Sequence, residues 1–183
     1  MSSFAERCGA YDAARAQAVA DTLAAIEVDG VDLVRVAWCD LHGMQVAKAL
    51  TPDAAARALR EGIGMVSTLM LKDASDRTAF KVFEPGGTAD LPGFGQANNL
   101  VLLPDPASYR RLPWAPGTGW LRAQPWRVDG HPVELDARHV LQRALARLHA
   151  LGMGLRCGLE IEFHIYRIDD QRAQLDPAQA GWP

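Results

Sequence analysis

Val31-Asp32-Leu33-Val34-Arg35-Val36-Ala37-Trp38 alternates apolar and polar positions and is rich in β-branched and aromatic residues, the period and composition of a strand. Asp40-Leu41-His42-Gly43 follows as a turn, and Gln45-Val46-Ala47-Lys48-Ala49-Leu50 returns as a second strand, so the two runs predict a hairpin. Thr51-Pro52-Asp53 then supplies a capping hydroxyl, a proline at the first helical position and an early acid. These signals start a helix through Ala54 to Arg60, which Gly62 and Gly64 are expected to close.

Upstream, Ala14, Val19, Leu23 and Ile26 fall near helical spacing, predicting a helix from about Tyr11 to Ile26 that Gly30 ends. Downstream, residues 62–99 lack regular periodicity and carry the turn-forming runs Glu84-Pro85-Gly86-Gly87 and Leu91-Pro92-Gly93-Phe94-Gly95, so a long loop region is expected. Leu100-Val101-Leu102-Leu103 and the stretch from Trp120 to Val128 read as further strands, the second ended by Asp129-Gly130. Trp114, Trp120 and Trp126 are expected in a core or at an interface rather than in a cofactor cage. Asp136 caps a helix with Val140, Leu141, Ala144, Leu145, Leu148 and Leu151 on one stripe and Gly152 at its end. His139 and His149 are ten positions apart on that helix, roughly 280° around it, and cannot share a metal there.

The helix leads to Gly158-Leu159-Glu160-Ile161-Glu162-Phe163-His164-Ile165-Tyr166, where acidic and apolar residues alternate strictly. As a strand, this stretch puts Glu160, Glu162 and His164 on one face and Leu159, Ile161, Phe163 and Ile165 on the other. The two carboxylates would stand roughly 7 Å apart. Their repulsion at an effective dielectric near 20 is on the order of 2 kcal/mol, which a solvated surface tolerates. The spacing therefore suits either a polar strand face in water or oxygen ligands for a hard divalent cation such as magnesium or manganese.

Composition narrows the classes of function. The 183 residues allow one ordinary domain, or a small domain plus part of another, and 49% hydrophobic content supports a packed core. A net charge of −3 with scattered arginines provides no basic field for nucleic acid. Cys8, Cys39 and Cys157 are widely spaced and odd in number, which argues against a disulfide framework and fits a reducing cytoplasm. No run approaches the ~18 apolar residues of a membrane span, and the N-terminus lacks a signal-peptide pattern.

Several motifs then occur in one order: the hairpin around Asp40-Leu41-His42-Gly43 ending near Lys48, Leu103-Pro104-Asp105-Pro106, Leu112-Pro113-Trp114, Asp129-Gly130-His131-Pro132, Asp136-Ala137-Arg138 and Gly158-Leu159-Glu160-Ile161-Glu162-Phe163. Together they resemble the glutamine synthetase family from about Val31 to Ile168, closer to glutamine synthetase-like members than to the ammonia-using housekeeping enzyme. The resemblance implies an α+β chain. An N-terminal helix region (1–24) precedes a β-grasp domain (25–125), and the start of an incomplete α/β catalytic domain (126–183) follows. It also implies an ATP-dependent ligase that uses Mg2+ or Mn2+ to phosphorylate the γ-carboxylate of glutamate before ammonia or an amine displaces phosphate. The acidic stretch matches the family's Glu-x-Glu motif, so Glu160 would hold the metal nearer the transferred phosphoryl group and Glu162 the metal nearer the substrate carboxylate. A cytoplasmic homo-oligomer without nucleic-acid or membrane partners is implied with it.

Two departures from the family pattern matter. The remaining metal ligands, the nucleotide pocket and the substrate-binding arginines lie beyond the matching stretch in this family, while this chain stops at Pro183. The expectation is an N-terminal portion without a complete set of catalytic residues, inactive alone. Ammonia-using members also carry Asp-Gly-Ser-Ser where this chain has Gly64-Met65-Val66-Ser67-Thr68, which points toward an organic amine as acceptor, with Asp73 or Asp76 as the alternative acids. Asp136-Ala137-Arg138 replaces the usual Asp-Pro-Arg without consequence, since alanine is a good early helical residue. The competing expectation is a non-catalytic β-grasp interaction module that associates with itself or with intact homologues.

Overall fold

The computed structural model describes residues 2–78, 80–82, 84–87, 91, 94 and 98–165. The hairpin forms as its sequence predicts. Strand β1 (Leu33–Cys39) pairs antiparallel with β2 (Gln45–Leu50), from Val34 opposite Leu50 to Cys39 opposite Gln45. The Asp40 carboxylate closes the turn by accepting from the backbone N–H groups of His42 and Met44 at 2.8 and 2.9 Å.

On its other side β1 runs parallel to β6 (Thr118–Arg127), which pairs antiparallel with β4 (Asn99–Pro104) and briefly with β5 (Arg110–Arg111). A short strand β3 (Ile63–Val66) pairs with β4, giving the order β2-β1-β6-β4-β3 with β5 beside β6. A mixed sheet with a parallel pair at its centre and helices on one face is an α+β arrangement, in agreement with the β-grasp expectation.

Helices α2 (Ala13–Asp29) and α3 (Pro52–Glu61) cover one face of the sheet. Alternation along the strands directs Val34, Val36, Leu102 and Leu121 into this layer, where all four are fully buried with Leu59 of α3. Each such side chain contributes about 1.5–3 kcal/mol of transfer free energy. Asp12 and Thr51 cap the two helices, and Gly30 ends α2 in the left-handed conformation at φ 56°. Arg15 ties the layers together, donating from Nη2 to the carbonyls of Leu59 and Pro104 at 3.0 and 2.8 Å.

Several expectations are corrected. The loop expected from Gly62 onward begins instead with β3, because Gly62 at φ 65° turns the chain from α3 straight into the sheet. An ideal Cβ on Gly62 would collide with Val101 Cγ1, and with the positive φ this favours glycine at the turn. A short helix α1 (Phe4–Arg7), closed by a reciprocal Ser3–Glu6 capping box, packs Phe4 and Ala5 against Leu103. Trp114 is not a core residue, being 76% exposed, while Trp120 and Trp126 are half-buried.

The largest correction lies beyond β6. Helix α4 (Ala137–Ala150) forms with Asp136 as its cap, yet none of its residues is buried, and Val140 and Leu141 of the predicted apolar stripe stand exposed. The strand expected at 158–166 is absent among the described residues 158–165, and Tyr166 lies outside them. Alternation assigns side chains to faces, but a strand also needs a ladder partner, and no described strand pairs with this stretch.

Candidate functional site

The chain reaches the acidic stretch through a polar joint at the sheet's end. Arg122 of β6 and Arg138 of α4 both donate from Nη2 to Oδ2 of Asp105, at 3.2 and 2.9 Å. Asp105 itself is fixed by the sheet, its backbone N–H donating to the Arg122 carbonyl at 2.7 Å. Asp136 is buried at the start of α4 and accepts from the His139 N–H at 2.9 Å; burial raises its pKa above the usual carboxylate value. Gln124 Nε2 lies 3.3 Å from His139 Nδ1, so the first turn of α4 is held at two points. The motif Leu103-Pro104-Asp105-Pro106 carried this joint in the sequence, although its arginine partners were not assigned there.

Glu160, Glu162 and His164 are all exposed, on a stretch with no assigned helix or strand. Among the described residues no group of three or more His, Cys, Asp or Glu side chains is arranged to hold a metal ion. The two carboxylates supply the hard oxygen donors that magnesium or manganese takes, but such a cation takes about six ligands.

At the β3 edge of the sheet, Gly64-Met65-Val66-Ser67-Thr68 runs from β3 into a 3-10 turn (Ser67–Met70). Met65 and Ser67 point inward, and Val66 is the partly exposed residue at that point. Ser67 Oγ is buried without a hydrogen-bond partner among the described residues. Asp73 and Asp76 lie further on, in a turn of their own. The Asp73 carboxylate accepts from the N–H groups of Arg77 and Ser75 at 2.9 and 2.8 Å, bonds that hold it below its ordinary pKa. Asp76 adopts φ 59° and pairs loosely with Lys72 at 3.9 Å. His42 Nε2 meets the Lys72 carbonyl at 3.0 Å, joining the hairpin tip to this turn, and that contact requires the proton on Nε2.

No protein-family profile matches the chain. It is 30% identical over 164 residues to a γ-glutamylanilide synthase of Acinetobacter sp, covering 88% of this chain and 32% of that protein. Its fold matches a solved complex of GmaS with ADP at a TM-score of 0.53 and 26% identity, over 70% of this chain and 25% of that one. The chain belongs to the glutamine synthetase family. A glutamine synthetase of Methanosarcina mazei is 25% identical over 152 residues, 81% of this chain and 30% of that protein. The γ-glutamylethanolamide synthetase GlnA4 of Streptomyces coelicolor is 39% identical over 75 residues, 41% of this chain and 16% of that protein. Within the family the chain is thus closer to glutamine synthetase-like members. It spans about a third of the length of the first curated relatives, at 32% and 30%. No described helix is long and apolar enough to cross a membrane.

Proposed function

We propose that this chain contributes the β-grasp domain (25–125) and the first part of the catalytic domain (126–183), after the N-terminal helix region (1–24), to an ATP-dependent ligase. The reaction joins glutamate, through its γ-carboxylate, to an organic amine. The observation that carries this reading is the likeness to a γ-glutamylanilide synthase across 88% of the chain. The segment Gly64-Met65-Val66-Ser67-Thr68 holds no acid, which supports an amine over ammonium, since deprotonation of ammonium would use a carboxylate.

In this reading Glu160 and Glu162 provide two of the oxygen ligands for magnesium or manganese in the full-length enzyme. A bound divalent cation neutralises the charge that builds between ATP and the glutamate carboxylate during phosphoryl transfer. The enzyme is a cytoplasmic homo-oligomer in the same reading. The test is phosphate release by the full-length protein with ATP and glutamate, with aniline, ethanolamine or ammonium in separate assays. Faster turnover with ammonium than with either amine would overturn the acceptor assignment. Unchanged manganese affinity by calorimetry after Glu160→Gln and Glu162→Gln together would remove the metal assignment.

A further inference from the structure

The sheet face not covered by α2 and α3 holds a hollow of about 600 Å3. Its floor includes Ala37 and Ala47, cross-strand partners on β1 and β2 whose methyl groups leave depth that larger side chains would fill. Strand register sets a row across it. Arg35 on β1 lies beside Trp120 on β6, and Trp120 faces Arg110 on β5, so the indole sits between two arginines on one face. Arg111 and the exposed Trp114 also line the hollow.

The charge in this hollow is one-sided. Among the described residues, three arginines line it and no Asp or Glu does. Among the described residues, the carboxylates with arginine ion partners pair with Arg122, Arg127 and Arg138, and none pairs with Arg35, Arg110 or Arg111. Arg110 is anchored by Nη1 to the carbonyls of Ala107 and Tyr109, at 3.4 and 2.5 Å, which fixes the position of its guanidinium. Among the described residues, neither Trp114 nor Trp120 has a guanidinium stacked on its ring.

We propose that this hollow binds a small aromatic anion, its ring against Trp120 and Trp114 and its carboxylate or phosphate held by Arg35 and Arg110. The volume lies in the usual range for small-molecule sites, about 300–1,000 Å3. Guanidinium forks match carboxylate and phosphate oxygens, and an indole offers a flat apolar face for an aromatic ring. An uncharged ligand would leave the arginines unmatched, and a bare anion would leave the tryptophans unused. The site uses none of the residues assigned to the ligase reaction and stands or falls separately from it.

The test titrates the full chain with benzoate, AMP, inorganic phosphate and benzyl alcohol, followed by tryptophan emission and calorimetry. The expected result is saturable binding of benzoate or AMP, with phosphate and benzyl alcohol at least about tenfold weaker. Which of benzoate and AMP binds identifies the anion as carboxylate or phosphate. Arg35→Gln with Arg110→Gln should weaken that binding by about tenfold or more, as expected for losing hydrogen bonds to a charged group. Ala47→Leu, which fills the floor and leaves every charge in place, should weaken it too; circular dichroism checks that each variant folds. No saturable binding of either aromatic anion overturns the proposal, as does phosphate or benzyl alcohol binding equally well. Flat titrations together with a lower sedimentation mass in the arginine variant would show that the face joins copies of the chain, which also overturns it.

Discussion

Two regions of this molecule carry regular hydrophobic patterns and reach different ends. In the sheet, the alternating residues Val34 and Val36 meet α2 and α3 and are fully buried. From α4 onward, Val140 and Leu141 follow a helical stripe and Leu159, Ile161, Phe163 and Ile165 follow strict alternation, yet all are exposed, the last four by 72–91%. A period decides which side chains share a face. It does not supply the surface against which that face packs, and burial stabilises only when both are present.

The strongest challenge to this contrast is Leu102→Ala in the fully buried layer, which should lower unfolding free energy by about 2–5 kcal/mol in urea titrations. A loss under about 1 kcal/mol would mean the sheet layer is no better packed than α4.

A second test uses Tyr109, which is buried and donates its hydroxyl to Asp29 Oδ2 at 2.9 Å. Burial, then the Asp29 bond, pushes its pKa up from 10.0 to about 12. The folded state thus holds this proton more tightly than the unfolded state does. Its contribution is complete below about pH 10 and falls as pH rises to about 12, by on the order of 2 kcal/mol. Denaturation at several alkaline pH values should show that slope, and Tyr109→Phe should flatten it. An unchanged slope would show that the sheet region's alkaline sensitivity arises elsewhere.

The joint between the regions is probed by Asp105→Asn, which weakens both guanidinium contacts of a partly exposed carboxylate and should cost about 1 kcal/mol. Amide exchange should accelerate in the first turn of α4 while β1 and β6 stay protected. Equal acceleration in the sheet would mean that Asp105 supports the whole fold rather than the joint.

The smallest effect is expected from Leu159→Ala, within about 0.5 kcal/mol of the parent in this chain. A loss beyond about 1 kcal/mol would place Leu159 against a surface and break the contrast.

Most of the sheet was legible because its signals are local. Thr51-Pro52-Asp53, Gly30 and Asp136 each act within a turn of their own positions, and the hairpin needs only Asp40 and Gly43 between two alternating runs. Strand β3 was not legible, since Ile63-Gly64-Met65-Val66 is short, contains glycine and finds its partner only at Asn99–Leu102. Trp114 escaped for a different reason. The size of a tryptophan predicts burial on average but not at any one site, and here the chain leaves it on the rim of the open face. Residue type and spacing at Glu160 and Glu162 suited a solvated strand face as well as a hard cation, and only the family resemblance favoured the cation.

The parallel pairing of β1 with β6 also sets the order in which this protein can fold during synthesis. Leu33 pairs with Thr118, whereas the β1–β2 hairpin closes within residues 34–50. A hairpin forms in roughly 1–10 μs. A ribosome adding about 5–20 residues per second needs seconds more to deliver the central partner. Throughout that interval one edge of β1 is unpaired, with Val34, Val36 and Trp38 beside it, open to the strands of other nascent chains. The hazard of misassociation at birth is therefore set by the distance along the chain to β6.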